Sequence, residues 1–317
     1  MSVWLLTDAA MDAHAAPGHP ERPDRRDAAA DGVRDAAADL LEEPPVEPID
    51  ATTLEAIHDP AYVVVLEELE REGGGWLDAD TYVVPGSARA ARLAAGATLQ
   101  AAFAVGMGST EVAFAVVRPP GHHAARGRGT GFCLINSVAV AVAGLRARGL
   151  AERIAIVDWD VHHGDGTQSI FDEDPGLCYA STHQSPLYPG TGARGETGHG
   201  AATGTKHNRP LPPGSGDAAF TDAWRDELLP AIEAFAPEAI LVSAGYDAHL
   251  RDPLGQLEVT EDGYEEVGRL VGALSARLGL GGVGLTLEGG YDLAALRAST
   301  AATVRGILAG RRLPDRA

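Results

Sequence analysis

The chain has 317 residues, 45% of them hydrophobic, and a formal net charge of −20, enough apolar material for one large α/β domain or two ordinary ones. Lys206 is the one lysine among 25 basic residues, and no basic patch is present to track a phosphate backbone, which argues against nucleic acid and anionic membranes as partners. No uncharged apolar run reaches the roughly 18–20 residues of a membrane span, and the opening MSVWLLTDAAMDAH lacks the basic start and long apolar run of a secretory signal, so a soluble, cytoplasmic protein is expected.

In chain order, residues 3–6 read as a first strand. Residues 24–42 read as an Ala-rich amphipathic helix stopped by Pro44-Pro45, and 88–105 as a second helix. Strand 112–117 leads into a loop at 118–131 and a helix at 137–148. Strands 154–157 and 177–180 follow. Residues 183–217 form a Gly- and Pro-rich loop, and in a compact domain a loop of that length is usually functional. Helix 218–235 ends before Pro237, strand 239–242 follows, and Thr260 caps a helix over 260–278 with acids in its first turn. Strand 283–287 and helix 293–308 close the chain. Most strands are continuous apolar runs, the pattern of strands buried on both faces of a parallel sheet. Strands alternating with helices predict a doubly wound α/β fold, and with no repeat or dividing linker, residues 1–317 are expected to form a single domain. Cys133 and Cys178 are expected to be buried free thiols. The acidic surface suits polycationic substrates, although an acidic, Lys-poor composition also fits a high-GC or salt-adapted host.

Ligands of open α/β sheets bind beyond the carboxyl ends of the strands. Five of the proposed strands run directly into ionisable or polar side chains: His122-His123, Asp158 to Asp165, Ser181-Thr182-His183, Ser243 to His249, and Glu288 to Tyr291. On an extended chain Asp158, Asp160 and His162 share a face, and such a concentration of carboxylates calls for a cation. Asp160, His162 and Asp247 are the expected ligands of a divalent transition metal, leaving a position open for water. His163 points the other way and is expected to be structural. A neutral imidazole of the His122-His123 pair can take a proton from water, with Asp158 and Asp165 available to fix the tautomers. Tyr291 can donate to an oxyanion. His14, His19, His58, His199, His207 and His249 show no informative spacing and are read as structural or surface residues.

The segments HPERP (19–23), RPPGHHA (118–124), GFCLINS (131–137), DWDVHHGDGT (158–167), YPGTG (188–192), SAGYDAH with DPLG (243–255) and LEGGY (287–291) resemble a histone deacetylase. The closer likeness is to class II deacetylases and their bacterial and archaeal deacetylase-like relatives, which include acetylpolyamine amidohydrolases. It extends from about residue 4 to about residue 308.

The resemblance implies an arginase/deacetylase-type α/β fold with a central, mostly parallel sheet and helices on both faces. It implies a hydrolase that removes acetyl groups from acetyl-lysine or a small acetylated amine, with zinc held by Asp160, His162 and Asp247. Fe(II) and Mn(II) suit the same donors. Water activated at the metal would attack the amide carbonyl. His123 would act as base and His122 would contribute electrostatically or share the proton transfer to the amine, backed by Asp165 and Asp158 respectively, with Tyr291 polarising the oxygen. The resemblance further implies a channel lined by Gly131, Phe132 and Tyr188, a rim carrying Leu254 and Asp80, and a structural potassium ion at Asp158, Asp160, the His162 carbonyl, Ser181 and Thr182.

A tyrosine at 291, where weakly active class IIa enzymes carry histidine, implies competent catalysis. An apolar Leu254, where the polyamine-selective vertebrate member carries glutamate, argues against that route to polyamine selectivity. Three other readings stay open: an acetylpolyamine amidohydrolase proper, a non-catalytic acetyl-group binder, and a two-manganese ureohydrolase of the same fold. Loops 183–217 and 71–82 are candidate contact surfaces if the chain is a homo-oligomer.

Overall fold

The computed structural model describes residues 2–312. Its strands are β1 (Val3–Leu6), β2 (Leu41–Glu42), β3 (Gly75–Trp76), β4 (Tyr82–Val83), β5 (Val112–Ala115), β6 (Ile154–Asp158), β7 (Leu177–Gln184), β8 (Lys206–Leu211), β9 (Ala239–Ala244) and β10 (Val283–Leu287). Eight of them make one sheet in the order β2-β1-β5-β10-β9-β6-β7-β8, with every neighbouring pair parallel. β3 and β4 form a separate antiparallel hairpin.

Alternation of side chains explains how continuous apolar runs feed two cores. Phe114, Ala155, Val157, Ile240, Val242, Leu285 and Leu287 face one side, against Trp159, Trp224 and the helices Asp24–Ala37, Glu261–Arg277 and Leu293–Arg311. Ile154, Ile156, Leu177, Tyr179 and Leu241 face the other, against helix Ser137–Ala147. Helix Ser87–Gly106 covers β5 and β10 on that second side. The sheet is thus buried on both faces, and the carboxyl ends of β5, β10, β9, β6 and β7 lie side by side.

Four features depart from the sequence-based expectation. The helix expected over 24–42 ends at Ala37, because Ala38 turns to φ 42°, and Leu41–Glu42 instead pairs with β1 as an edge strand. The loop expected over 183–217 is shorter: β7 continues to Gln184, and Lys206–Leu211 pairs alongside it. β8 has a polar sequence because it is an edge strand and buries only some of its residues. The helix expected over 218–235 is continuous but carries a π segment at Ala223–Leu228. Helices Ala51–Glu55 and Pro60–Arg71 have no counterpart in the pattern read from sequence. Thr260 caps its helix by accepting from the Asp262 amide, and both cysteines are buried and free. Among the described residues no helix is long and apolar enough to cross a membrane.

Candidate active site

Beyond the ends of β6 and β9 the chain brings Asp160, His162 and Asp247 together. His162 Nδ1 lies 3.1 Å from Asp160 Oδ1 and 3.2 Å from Asp247 Oδ2. Backbone donors orient the carboxylates: Gly289 N–H reaches Asp160 Oδ2 at 2.7 Å, and Val161 N–H reaches Asp247 Oδ1 at 2.8 Å. Asp247 Oδ2 is left buried without a hydrogen bond of good geometry. Gly245 and Gly289 permit this crowding, since a Cβ at either would collide with Asp160 Oδ2 and Asp247 Oδ2, respectively.

Both carboxylates are almost wholly buried. Burial alone would lower the His162 pKa, yet the two aspartates raise it to about 10. Burial and the charge of Asp160 push the Asp247 carboxyl up. A dication relieves both effects. Tetrahedral bonds of about 2.0–2.2 Å place donor atoms roughly 3.3–3.6 Å apart, close to the spacing found here, and an oxygen, nitrogen, oxygen donor set suits zinc or a neighbouring divalent ion.

Beside the trio stand His122 and His123, their ring centres 4.1 Å apart. His122 Nδ1 meets Asp158 Oδ2 at 3.1 Å and His123 Nδ1 meets Asp165 Oδ1 at 2.8 Å. The carboxylates accept, so both Nδ1 atoms carry hydrogen in these pairs. Burial opposes charge on His122, but Asp160 and Asp158 outweigh it and raise its pKa well above the ordinary value. Burial, then the charge of His122, lowers His123 to about 3. The two imidazoles are therefore pushed in opposite directions, His122 up and His123 down. Asp158, on a face shared with two ligands by the sequence pattern, stands behind His122 and also accepts from the Tyr179 hydroxyl.

Tyr291 lines the same pocket, edge-on to Phe132 at 5.9 Å. Burial raises its pKa well above the ordinary value, and nearby Asp247 and Asp160 add to this against Arg25, so the phenol stays protonated. Three residues with no individual role in the sequence reading hold this corner. Asp252 Oδ2 accepts from the Tyr291 amide at 2.6 Å. Arg25 lies over the Tyr291 ring at 4.7 Å and donates to the carbonyls of Gly290 and Glu288. Buried Glu21 joins Arg25 to Arg118. The Glu288 carboxylate likewise accepts from the amides of Gly121 and His122, tying the histidine loop to β10. Glu21 sits in HPERP and Arg25 two residues beyond it, Asp252 in DPLG and Glu288 in LEGGY. Each motif is visible in the sequence, but its long-range backbone contacts are not.

The pocket has a volume of about 240 Å³, and its wall and rim include Asp80, Gly131, Phe132, Tyr188 and Leu254. All five expected channel residues therefore meet at one opening above the trio. His19, read from sequence as structural or surface, supports this wall from outside the pocket: its ring packs edge-on against Phe132 at 4.6 Å. His163 is held away by Thr191 and Gln168, as its alternation predicts. His14, His58 and His249 are buried. Ser181 pairs in register with Asp158, and Ser181 Oγ meets His183 Nδ1 at 2.9 Å. Thr182 Oγ1 accepts from Trp224 Nε1.

A family model described as the histone deacetylase domain matches residues 19–307. A probable deacetylase of Archaeoglobus fulgidus is 42% identical over 282 residues, covering 87% of this chain and 77% of that protein. The crystal structure of the HDA15 HD domain superposes with a TM-score of 0.91 at 36% identity, covering 99% of this chain and 90% of that one. The acetylpolyamine aminohydrolase of Burkholderia pseudomallei superposes with a TM-score of 0.89 at 30% identity, covering 98% and 99% of the two chains.

Proposed function

The chain belongs to the histone deacetylase family, and on that premise we propose that it hydrolyses the acetamide of an acetyl-lysine side chain or a small acetylated amine, using a divalent metal held by Asp160, His162 and Asp247. The observation that carries this reading is the juxtaposition of a buried Asp/His/Asp trio, a neutral His123 and a protonated Tyr291 at one narrow pocket. Zinc is the proposed ion, with Fe(II) or Mn(II) as alternatives for the same donors.

When bound, a divalent ion supplies Lewis-acid activation of water and of the acetamide oxygen. Every other task falls to side chains. His123, neutral and oriented by Asp165, accepts the proton of the attacking water through Nε2 and returns it to the departing amine. Asp165 steadies the imidazolium that forms. His122, paired through Nδ1 with Asp158, supports the developing negative charge electrostatically. The Tyr291 hydroxyl donates to the oxyanion. Gly131, Phe132 and Tyr188 enclose the methylene chain of the amine, and Leu254 and the exposed Asp80 meet whatever flanks it.

The likeness to the Burkholderia pseudomallei enzyme supports acetylated polyamines as one substrate class, and the Asp80 carboxylate at the mouth suits a second ammonium. A turnover panel of acetyl-lysine peptides, acetylputrescine and acetylspermidine tests the proposal. Hydrolysis of none of them would refute it, and their ranking assigns the class. A structural potassium ion at Asp158, Asp160, the His162 carbonyl, Ser181 and Thr182 belongs to the same proposal, as does one deacetylase domain over residues 1–317. The buried free thiols suit a reducing compartment, in keeping with a cytoplasmic location.

A further inference from the structure

Phe132 and Tyr188, two aromatics that line the pocket, are both fastened to one short loop over residues 78–81. Within it, Asp78 Oδ1 accepts from the amides of Thr81 at 2.7 Å and Asp80 at 3.1 Å. Asp78 Oδ2 accepts from the Thr130 hydroxyl at 2.5 Å. That bond uses the one proton Thr130 has, so the 2.8 Å contact between Thr130 Oγ1 and the Tyr188 hydroxyl must be donated by tyrosine. The result is a directed relay, Tyr188 to Thr130 to Asp78. Burial raises Tyr188 to about 12, so its proton is retained. Burial would push Asp78 up, but bonds from Thr130, Asp80 and Thr81 outweigh it and keep the carboxyl below its ordinary value.

Phe132 is tied to the same loop. Thr81 Oγ1 accepts from the Phe132 amide at 3.0 Å. Phe132 sits at φ 69°, a left-handed conformation that is strained for a non-glycine residue, so its place depends on such restraints. His19 adds another. Its Nδ1 accepts from the Glu21 amide at 3.1 Å, so Nε2 carries the hydrogen and donates to the Asp80 carbonyl at 3.1 Å, while the ring edge meets Phe132. Tyr188 is 42% exposed. The bond to Thr130 is what anchors its hydroxyl, so cutting it frees the ring to rotate away from the pocket.

We propose that Asp78 and Thr130 are positioning residues that fix the gap between Phe132 and Tyr188, and thereby select slim, unbranched amine chains over bulky ones. The inference rests on reading this pocket as the channel of the acetylated amine.

N-butylacetamide and N-benzylacetamide serve as probes, measured by calorimetric binding and by acetate release. Thr130→Val keeps the side-chain shape but removes both bonds. It should weaken the preference for the butyl over the benzyl probe about five- to tenfold, the effect of one or two lost hydrogen bonds. For the butyl probe, KM should rise with kcat within about twofold. Thr130→Ser should restore the parent preference. Tyr188→Phe cuts the relay from its other end, so the double variant should match either single variant rather than multiply their effects. Parent selectivity in both single variants, or multiplicative effects in the double, would overturn the proposal. If Thr130→Val fails to fold, the selectivity of Tyr188→Phe decides the question by itself. Absence of acetate release by the parent protein would count against the catalytic reading alone, since the binding preference is measured without turnover.

Discussion

The amide of Tyr291 donates to the Asp252 carboxylate across 2.6 Å, while the other oxygen of that carboxylate accepts from the amide of Leu254 at 3.0 Å. One buried side chain thus sets both Tyr291, the proposed oxyanion donor, and the apolar Leu254 at the rim. Asp252→Ala should lower kcat by about ten- to a hundredfold, since a misplacement of order 1 Å can cost about a hundredfold. Steady-state kinetics checks this, with circular dichroism to verify folding.

Tyr291→Phe removes the hydroxyl and leaves the ring under Arg25. Loss of one oxyanion donor costs about 2.7–4 kcal/mol, so kcat should fall about a hundredfold or more with KM little changed. Near-parental turnover in this variant would remove Tyr291 from the mechanism.

Acid sensitivity should appear at His58, far from the trio in role. The Asn136 amide donates to His58 Nε2 at 2.9 Å, so the ring must stay neutral, and burial lowers its pKa to about 4 from an unfolded value of 6.5. Between these values the unfolded chain binds the extra proton. The stabilisation is therefore fully present above pH 6.5 and is lost as pH falls toward 4, at about 1.4 kcal/mol per pH unit. In urea titrations the stability difference between the parent and His58→Gln should shrink by that slope over this window. A difference independent of pH would contradict the assignment.

Lys206 has its ammonium buried between β7 and β8, donating to the Leu177 carbonyl at 2.9 Å and to Thr205 Oγ1 at 2.7 Å. Lys206→Met fills the space and abandons these acceptors. Stability should drop by about 1–3 kcal/mol, the cost of a buried group left unpaired, with kcat/KM unchanged at a temperature where the variant is folded.

Sequence alone pointed to the Asp160, His162 and Asp247 cluster, the histidine pair and its two carboxylates, because each lies within several residues of the end of an apolar run. A parallel sheet then aligns those ends without further information. The roles of Asp252, Glu288 and Arg25 were hidden for the opposite reason. They bond backbone atoms 39, 167 and 265 residues away, and no local pattern encodes such partners. β8 escaped because an edge strand with Lys, His, Asn and Arg lacks the apolar signature of its neighbours. The break at Ala38 escaped because no glycine or proline marks it.

Whether the Asp/His/Asp trio holds a catalytic ion is decided by acetate release from an acetylated-lysine peptide before and after removal of metal, paired with Asp247→Asn. The intact protein should turn over, and chelation or Asp247→Asn should each cost at least about a hundredfold. Adding zinc or another divalent ion should restore the chelated parent but not the variant. Turnover unaffected by both chelator and substitution would show that the trio is not a catalytic metal site.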